Sequence, residues 1–215
     1  MTATTPAQGA AARAAIYTLL AALFDRPLDA AGLAALREGE MRTALSAAGI
    51  DPGPDFDGAG ADELRERLAI EFSYIFVDPV GKIVPHEGLM LAHEEDLSGE
   101  TADAVARFMA EVGYRLPPES GMVADHLAVE LSFAADLAGR EAGAEAAGDA
   151  GRAEQTRDIR RRFLEAHLGR WAGIAARRIA ARDEGRFYSE FARFMADHVA
   201  DDMAALSGSN REAAE

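Results

Sequence analysis

The chain has 215 residues, a formal net charge of −15, a pI near 4.7 and no cysteine. That charge repels nucleic acid and anionic lipid and attracts cationic segments, while the missing thiols exclude disulfides, thiolate metal sites and cysteine nucleophiles. Alanine, leucine, arginine and glutamate outweigh β-branched and aromatic residues, so the expected fold is all-α, a single globular helical domain of about eight to ten helices over residues 10–207.

Residues 1–9 carry no basic n-region and are expected to form a disordered tail. No apolar run approaches the roughly 20 residues of a membrane span, so a soluble, cytoplasmic protein without stable membrane insertion is expected. The first helix spans Ala11 to Phe24, with Ile16, Leu19, Leu20 and Leu23 on one face, and ends before Pro27. Asp29 caps a short helix through Arg37, and another runs from Glu40 to Ala48. Residues 49–60 hold the richest turn composition in the chain and predict a surface loop, after which Asp62 is expected to cap a helix carrying Leu68, Phe72, Ile75 and Phe76.

That helix breaks at Pro79 into a loop that Pro85 keeps extended. Helical segments are then expected from Gly88 to Asp96, from Thr101 to Glu111 or Val112, and from Met122 to Leu137, where Val123, Leu127 and Leu131 stack at four-residue steps. Residues 139–155 contain no large apolar group and predict a flexible connecting loop. Phe163 to Arg182 and Phe187 to Leu206 are the last expected helices, with residues 208–215 a disordered tail. A long loop between helical halves leaves a homodimer by helix exchange open.

Most candidates for chemistry fail on spacing. His86-Glu87 and His93-Glu94-Glu95 look metal-like, but the two histidines are seven residues apart, about 10 Å on a straight helix, beyond sharing one ion. His126 and Glu130 make an i, i+4 pair that supplies only two ligands, and a buried hydrogen-bonded pair is the expectation. His167 and Trp171, also four apart, are read as packing. The single lysine, Lys82, lies in a loop, and no glycine-rich phosphate motif or nucleophile elbow occurs, so neither an enzymatic activity nor a cofactor is expected. Arg160-Arg-Arg162 and Arg177-Arg178 are read as solvated helix faces.

The blocks that survive carry a resemblance. Phe76-Val-Asp-Pro79 and Val84-Pro-His-Glu-Gly88 are similar to the Phe-x-Gly-Pro and Pro-Pro-Tyr-Glu-Ser blocks of the TorD/DmsD family of redox-enzyme maturation chaperones. Asp125-His126-Leu127 resembles that family's Asp-His helix, and Phe163-Leu-x-x-His167-Leu-x-x-Trp171 and Phe187-Tyr188 follow in the family's order. The resemblance implies a cytoplasmic helical chaperone that binds the twin-arginine signal peptide and apo form of a molybdopterin oxidoreductase of the DMSO reductase-like class. Such a chaperone holds its client until cofactor insertion is complete.

Carried over position by position, the implied peptide-binding residues are Phe76, Pro79, Pro85, Glu87, Asp125 and His126, joined by Asp78 and His86, where the chain departs from the family pattern. A leader with two guanidinium groups and an apolar stretch needs carboxylates beside a greasy groove, which suits this set. Two alternatives stand beside it. One is a helical metal-dependent or nucleotide hydrolase using His86, His93 and His126, and the other is a helical scaffold for another folded protein.

Overall fold

The computed structural model describes residues 5–92, 97, 99–116 and 121–212. Among them it holds nine α-helices, one π-helical turn and no strand, so the chain is all-α. The helices are α1 (Pro6–Asp25), α2 (Ala30–Arg37), α3 (Gly39–Ala47), α4 (Ala61–Phe76), α5 (Glu100–Glu111), α6 (Leu127–Ala146), α7 (Ala150–Ala166), α8 (Leu168–Ala180) and α9 (Phe187–Glu212), with the π-helical turn at Gly88–Ala92.

The chain divides into two compact units. The first comprises Met1–Phe24, His86–Trp171 and Val199–Glu215, and the second Asp25–Pro85 and Ala172–His198. In the first unit the core gathers Phe108, Phe133 and Phe163, whose rings meet with centroids 4.7–6.2 Å apart, together with fully buried Trp171 and Leu137. In the second unit Phe56 stacks on Phe187, and Tyr188 meets Phe72 and Phe76 edge-on while its hydroxyl donates to the Leu68 carbonyl.

Several boundaries depart from the sequence expectation, each for a local reason. α1 starts at Pro6, inside the expected tail, because Thr5 and Gln8 form a reciprocal cap: the Thr5 N–H donates to Gln8 Oε1 at 2.9 Å and the Gln8 N–H to Thr5 Oγ1 at 3.3 Å. α1 is long and apolar enough to cross a membrane by length and composition, which corrects the expectation that no segment is. Within the first unit it buries Tyr17, Leu20, Leu23 and Phe24, and its Arg13 and Tyr17 both engage buried Asp202.

Asp29 caps α2 as expected, accepting from the Gly32 N–H at 2.7 Å, whereas α4 is preceded by Gly60 and Asp62 lies in its first turn. The helix expected from Met122 begins at Leu127, capped by the His126 side chain. The expected single helix from Phe163 to Arg182 is broken at His167, where the backbone turns to φ −130° and ψ −103°. Just beyond the break, a side chain on Gly169 would collide with the Leu164 carbonyl and Met203, so only glycine fits.

The flexible loop expected over residues 139–155 is corrected to helix, apart from a short connection at Ala147-Gly148-Asp149. Small Ala144 and Ala153 are buried there, and Arg157 and Arg160 of α7 pair with Glu141 and Glu145 of α6. Arg160 is 1% exposed, not the solvated arginine the sequence suggested. The disordered tail expected from residue 208 is likewise helix through Glu212, with the Ser207 hydroxyl donating back to the Met203 carbonyl.

Candidate functional site

Asp125 is the organising residue of the first unit's site. It precedes α6 and is 2% exposed, yet all three of its oxygens are used: Oδ1 lies 2.8 Å from His86 Nδ1, Oδ2 accepts the Gly88 N–H at 3.1 Å, and its carbonyl accepts the Glu87 N–H at 3.0 Å. One acidic residue therefore fixes the chain from His86 to Gly88 at the entry of the π-helical turn, and an isolated antiparallel bridge pairs His86 with His126. Wide π turns satisfy fewer backbone groups in regular fashion than α-helix, so an external clamp at the entry explains why the turn holds.

His126 is half-buried, and its Nδ1 accepts the Ala128 N–H at 3.2 Å, which leaves Nε2 as the protonated nitrogen of the neutral ring. The His86 and His126 rings meet edge to face, with centroids 4.9 Å apart. Behind them Glu87, 2% exposed, places Oε2 2.9 Å from His167 Nδ1 and Oε1 3.8 Å from the guanidinium of Arg170. The His167 ring sits in turn against Phe108 and Phe163.

Glu130 lies deepest, with no exposed surface. Its Oε2 accepts the Trp171 indole N–H at 3.2 Å, and its Oε1 has no hydrogen-bond partner among the described residues. Burial pushes the Glu130 carboxyl well above the usual carboxylate range; nearby Glu87 and Asp125 push it the same way, and the Trp171 N–H pulls it back. The partner of Glu130 is thus Trp171, 41 residues away, where i, i+4 spacing had suggested His126.

The other predicted residues belong to the second unit. Phe76, half-buried at the end of α4, packs on Phe72 with centroids 4.8 Å apart. Asp78 Oδ1 accepts the Val80 N–H at 2.8 Å, an Asx turn that rounds the chain past exposed Pro79. The loop is tied back where the Ile83 N–H donates to the Ile75 carbonyl at 2.7 Å, and Pro85 is buried. Asp78 therefore serves as the turn's own cap.

So the structure brings His86, Glu87, Asp125 and His126 together and adds His167, Arg170, Glu130 and Trp171 to them. Of these additions, His167 and Trp171 stood in the resemblance blocks and Glu130 in the His126 pairing, while Arg170 carried no signal. Among the described residues no group of three or more His, Asp or Glu side chains is arranged to hold a metal ion; His93, Glu94 and Glu95 lie outside the described residues.

A model of the family described as nitrate reductase delta subunit matches residues 10–177. The chain belongs to this family, that of the TorD chaperones. Its curated relatives include the chaperone protein TorD of Shewanella loihica, 26% identical over 210 residues that cover 91% of this chain and 93% of the relative. The chaperone protein TorD of Vibrio parahaemolyticus is 26% identical over 208 residues, covering 91% of this chain and 95% of the relative. Membership makes this a redox-enzyme maturation chaperone, and the matched span, residues 10–177, includes the Asp125 clamp and the His167 to Trp171 stretch.

Proposed function

We propose that this chain is a cytoplasmic chaperone that binds the twin-arginine signal peptide and apo form of a molybdopterin oxidoreductase of the DMSO reductase-like class and holds it for cofactor insertion. The observation that carries the proposal is the family match over residues 10–177, supported by relatives named as chaperones along nearly their whole length.

The eight predicted residues differ in accessibility, and that difference supports separate tasks for them. Phe76, Asp78, Pro79 and His126 each retain accessible surface, which supports direct contact with the leader as their role. Pro85, His86, Glu87 and Asp125 are buried, and a backbone-fixing role suits Asp125, because a guanidinium could reach it only by displacing His86 or the Gly88 N–H. Truncating Asp125 strands buried donors, which costs roughly 1–3 kcal/mol. Asp125→Ala therefore tests stability more than recognition.

Calorimetric titration of the full chain with a molybdoenzyme leader carrying Arg-Arg or Lys-Lys decides the matter. The Lys-Lys leader is expected to bind at least tenfold more weakly, since lysine cannot make the bidentate contact, and Phe76→Ala should weaken the Arg-Arg leader without loss of helicity. Equal affinity for both leaders would sink arginine recognition, and co-purification of no oxidoreductase would sink the client assignment.

A further inference from the structure

Met203 of α9 fills the room that a side chain would take on α8. At Gly169, the second residue of α8, that room holds the Met203 thioether, sulfur foremost, and the Leu164 carbonyl oxygen closes another side of it. Methionine suits such a seat because an unbranched stem and a soft sulfur fill an irregular gap. α9 has little freedom to shift here. The preceding residue, buried Asp202, accepts the Tyr17 hydroxyl at 3.0 Å and lies 2.8 Å from Arg13 Nε and 3.1 Å from Arg160 Nε. All of these residues belong to the first unit.

The first turn of α8 rests on this seat and reaches the site. The Arg170 guanidinium lies 3.8 Å from Glu87 Oε1, and the Trp171 indole N–H donates to Glu130 at 3.2 Å. A displaced turn therefore disturbs two of the carboxyls gathered behind the Asp125 clamp. The seat is also open to water. Met90, Met109 and Met195 are at most 3% exposed, whereas Met203 and Met122 are half-buried and Met41 is exposed. A dissolved oxidant reaches the last three first, and of these Met203 is the one on which α8 rests.

We propose that Met203 is a reversible oxidation site through which an oxidant of the peroxide class loosens the first unit. Hydrogen peroxide gives one oxygen atom to Met203 Sδ: a sulfur lone pair forms the S–O bond, the O–O bond breaks, and the other oxygen takes the remaining proton and leaves as water. Sulfur is oxidised by two electrons and the peroxide is reduced by two. The sulfoxide is polar and larger than the thioether, in a space bounded by the Gly169 backbone and a carbonyl oxygen that repels its dipole. With α9 pinned at Asp202, the first turn of α8 gives way. The proposal does not depend on leader recognition.

Trp171 is the one tryptophan, fully buried and two residues from Gly169, so its emission reports on the seat. The full chain is treated with hydrogen peroxide, oxidised positions are read by peptide mass spectrometry, and emission and melting are followed before and after treatment with methionine sulfoxide reductases and dithiothreitol. Met203 is expected to oxidise in the folded chain, with emission moving to longer wavelength and melting about 3 °C or more lower, both restored by the reductases. The double variant Met41→Leu, Met122→Leu leaves the seat untouched and should respond in full, while Met203→Leu should keep its emission under peroxide; the double variant carries the test should Met203→Leu fail to fold. Met203 left reduced while Met41 is oxidised would overturn the proposal, as would Met203 sulfoxide with unchanged emission and melting. A full response in Met203→Leu, or none in the double variant, would hand the effect to Met41 or Met122, and no recovery with the reductases would overturn its reversibility.

Discussion

A carboxyl with no exposed surface is costly to ionise, and Glu130 has one oxygen on Trp171 and the other without a hydrogen-bond partner among the described residues. Its folded-state affinity for the proton is raised by burial first and by Glu87 second. In the unfolded chain an ordinary glutamate loses its proton near pH 4.3, so above that pH the native state binds more protons than the unfolded one, and stability falls as pH rises toward the native Glu130 value. Glu130→Gln keeps an oxygen for the Trp171 N–H and never pays for charge. It is expected to melt at the wild-type temperature near pH 5 and about 2–4 °C higher at pH 8, where each kcal/mol counts for a few degrees in a chain this size. Glu71, also raised by burial, leaves a residual slope of the same sign. A variant that melts below wild type at pH 8 would show that the proton on Glu130 carries a bond no amide replaces.

The turn between α6 and α7 shows what decides an element. Gly148 stands at φ +71°, the Gly148 N–H donates to the Glu145 carbonyl, and Asp149 Oδ1 accepts the Arg152 N–H at 3.0 Å, so one helix is closed and the next opened within three residues. Asp149→Ala should cost about 1 kcal/mol in urea unfolding and leave helical signal at 25 °C unchanged; no loss would mean that packing of Ala144 and Ala153 alone sets the turn. These residues also show where sequence is legible. Asp29, with an apolar run behind it, announces its helix because a cap is local. The stretch 139–155 does not, since its core is built from alanines that look like filler and from arginine–glutamate pairs that look like surface. The clamp at Asp125 is further still from pattern, joining residues 37 and 39 apart, and Glu87 with His167 spans 80. Periodicity carries no information at such distances: His86-Glu87 and His167 stood out singly, and only the order of the family blocks pointed to Asp125 beside them.

At the scale of the molecule the net charge of −15 acts before any contact forms. The salt bridges do not absorb it, because each consumes one cation and one anion, and only 22 lysines and arginines face 37 aspartates and glutamates. The surplus therefore stands as a field over the surface, reaching about 10 Å at 0.1 M salt. A twin-arginine leader, the proposed client segment, would be drawn in by that field from outside, so the association rate rather than the dissociation rate should carry the salt dependence. Stopped-flow mixing of the full chain with a labelled twin-arginine leader is expected to give an association rate that falls about tenfold or more between 0.02 M and 0.2 M salt, with dissociation changing far less. A leader whose arginines are replaced by glutamine should associate slowly and with little salt dependence. If the arginine leader associates at one rate across that range, the surplus charge is solvated surface, and the proposed capture of the leader would rest on short-range contacts alone.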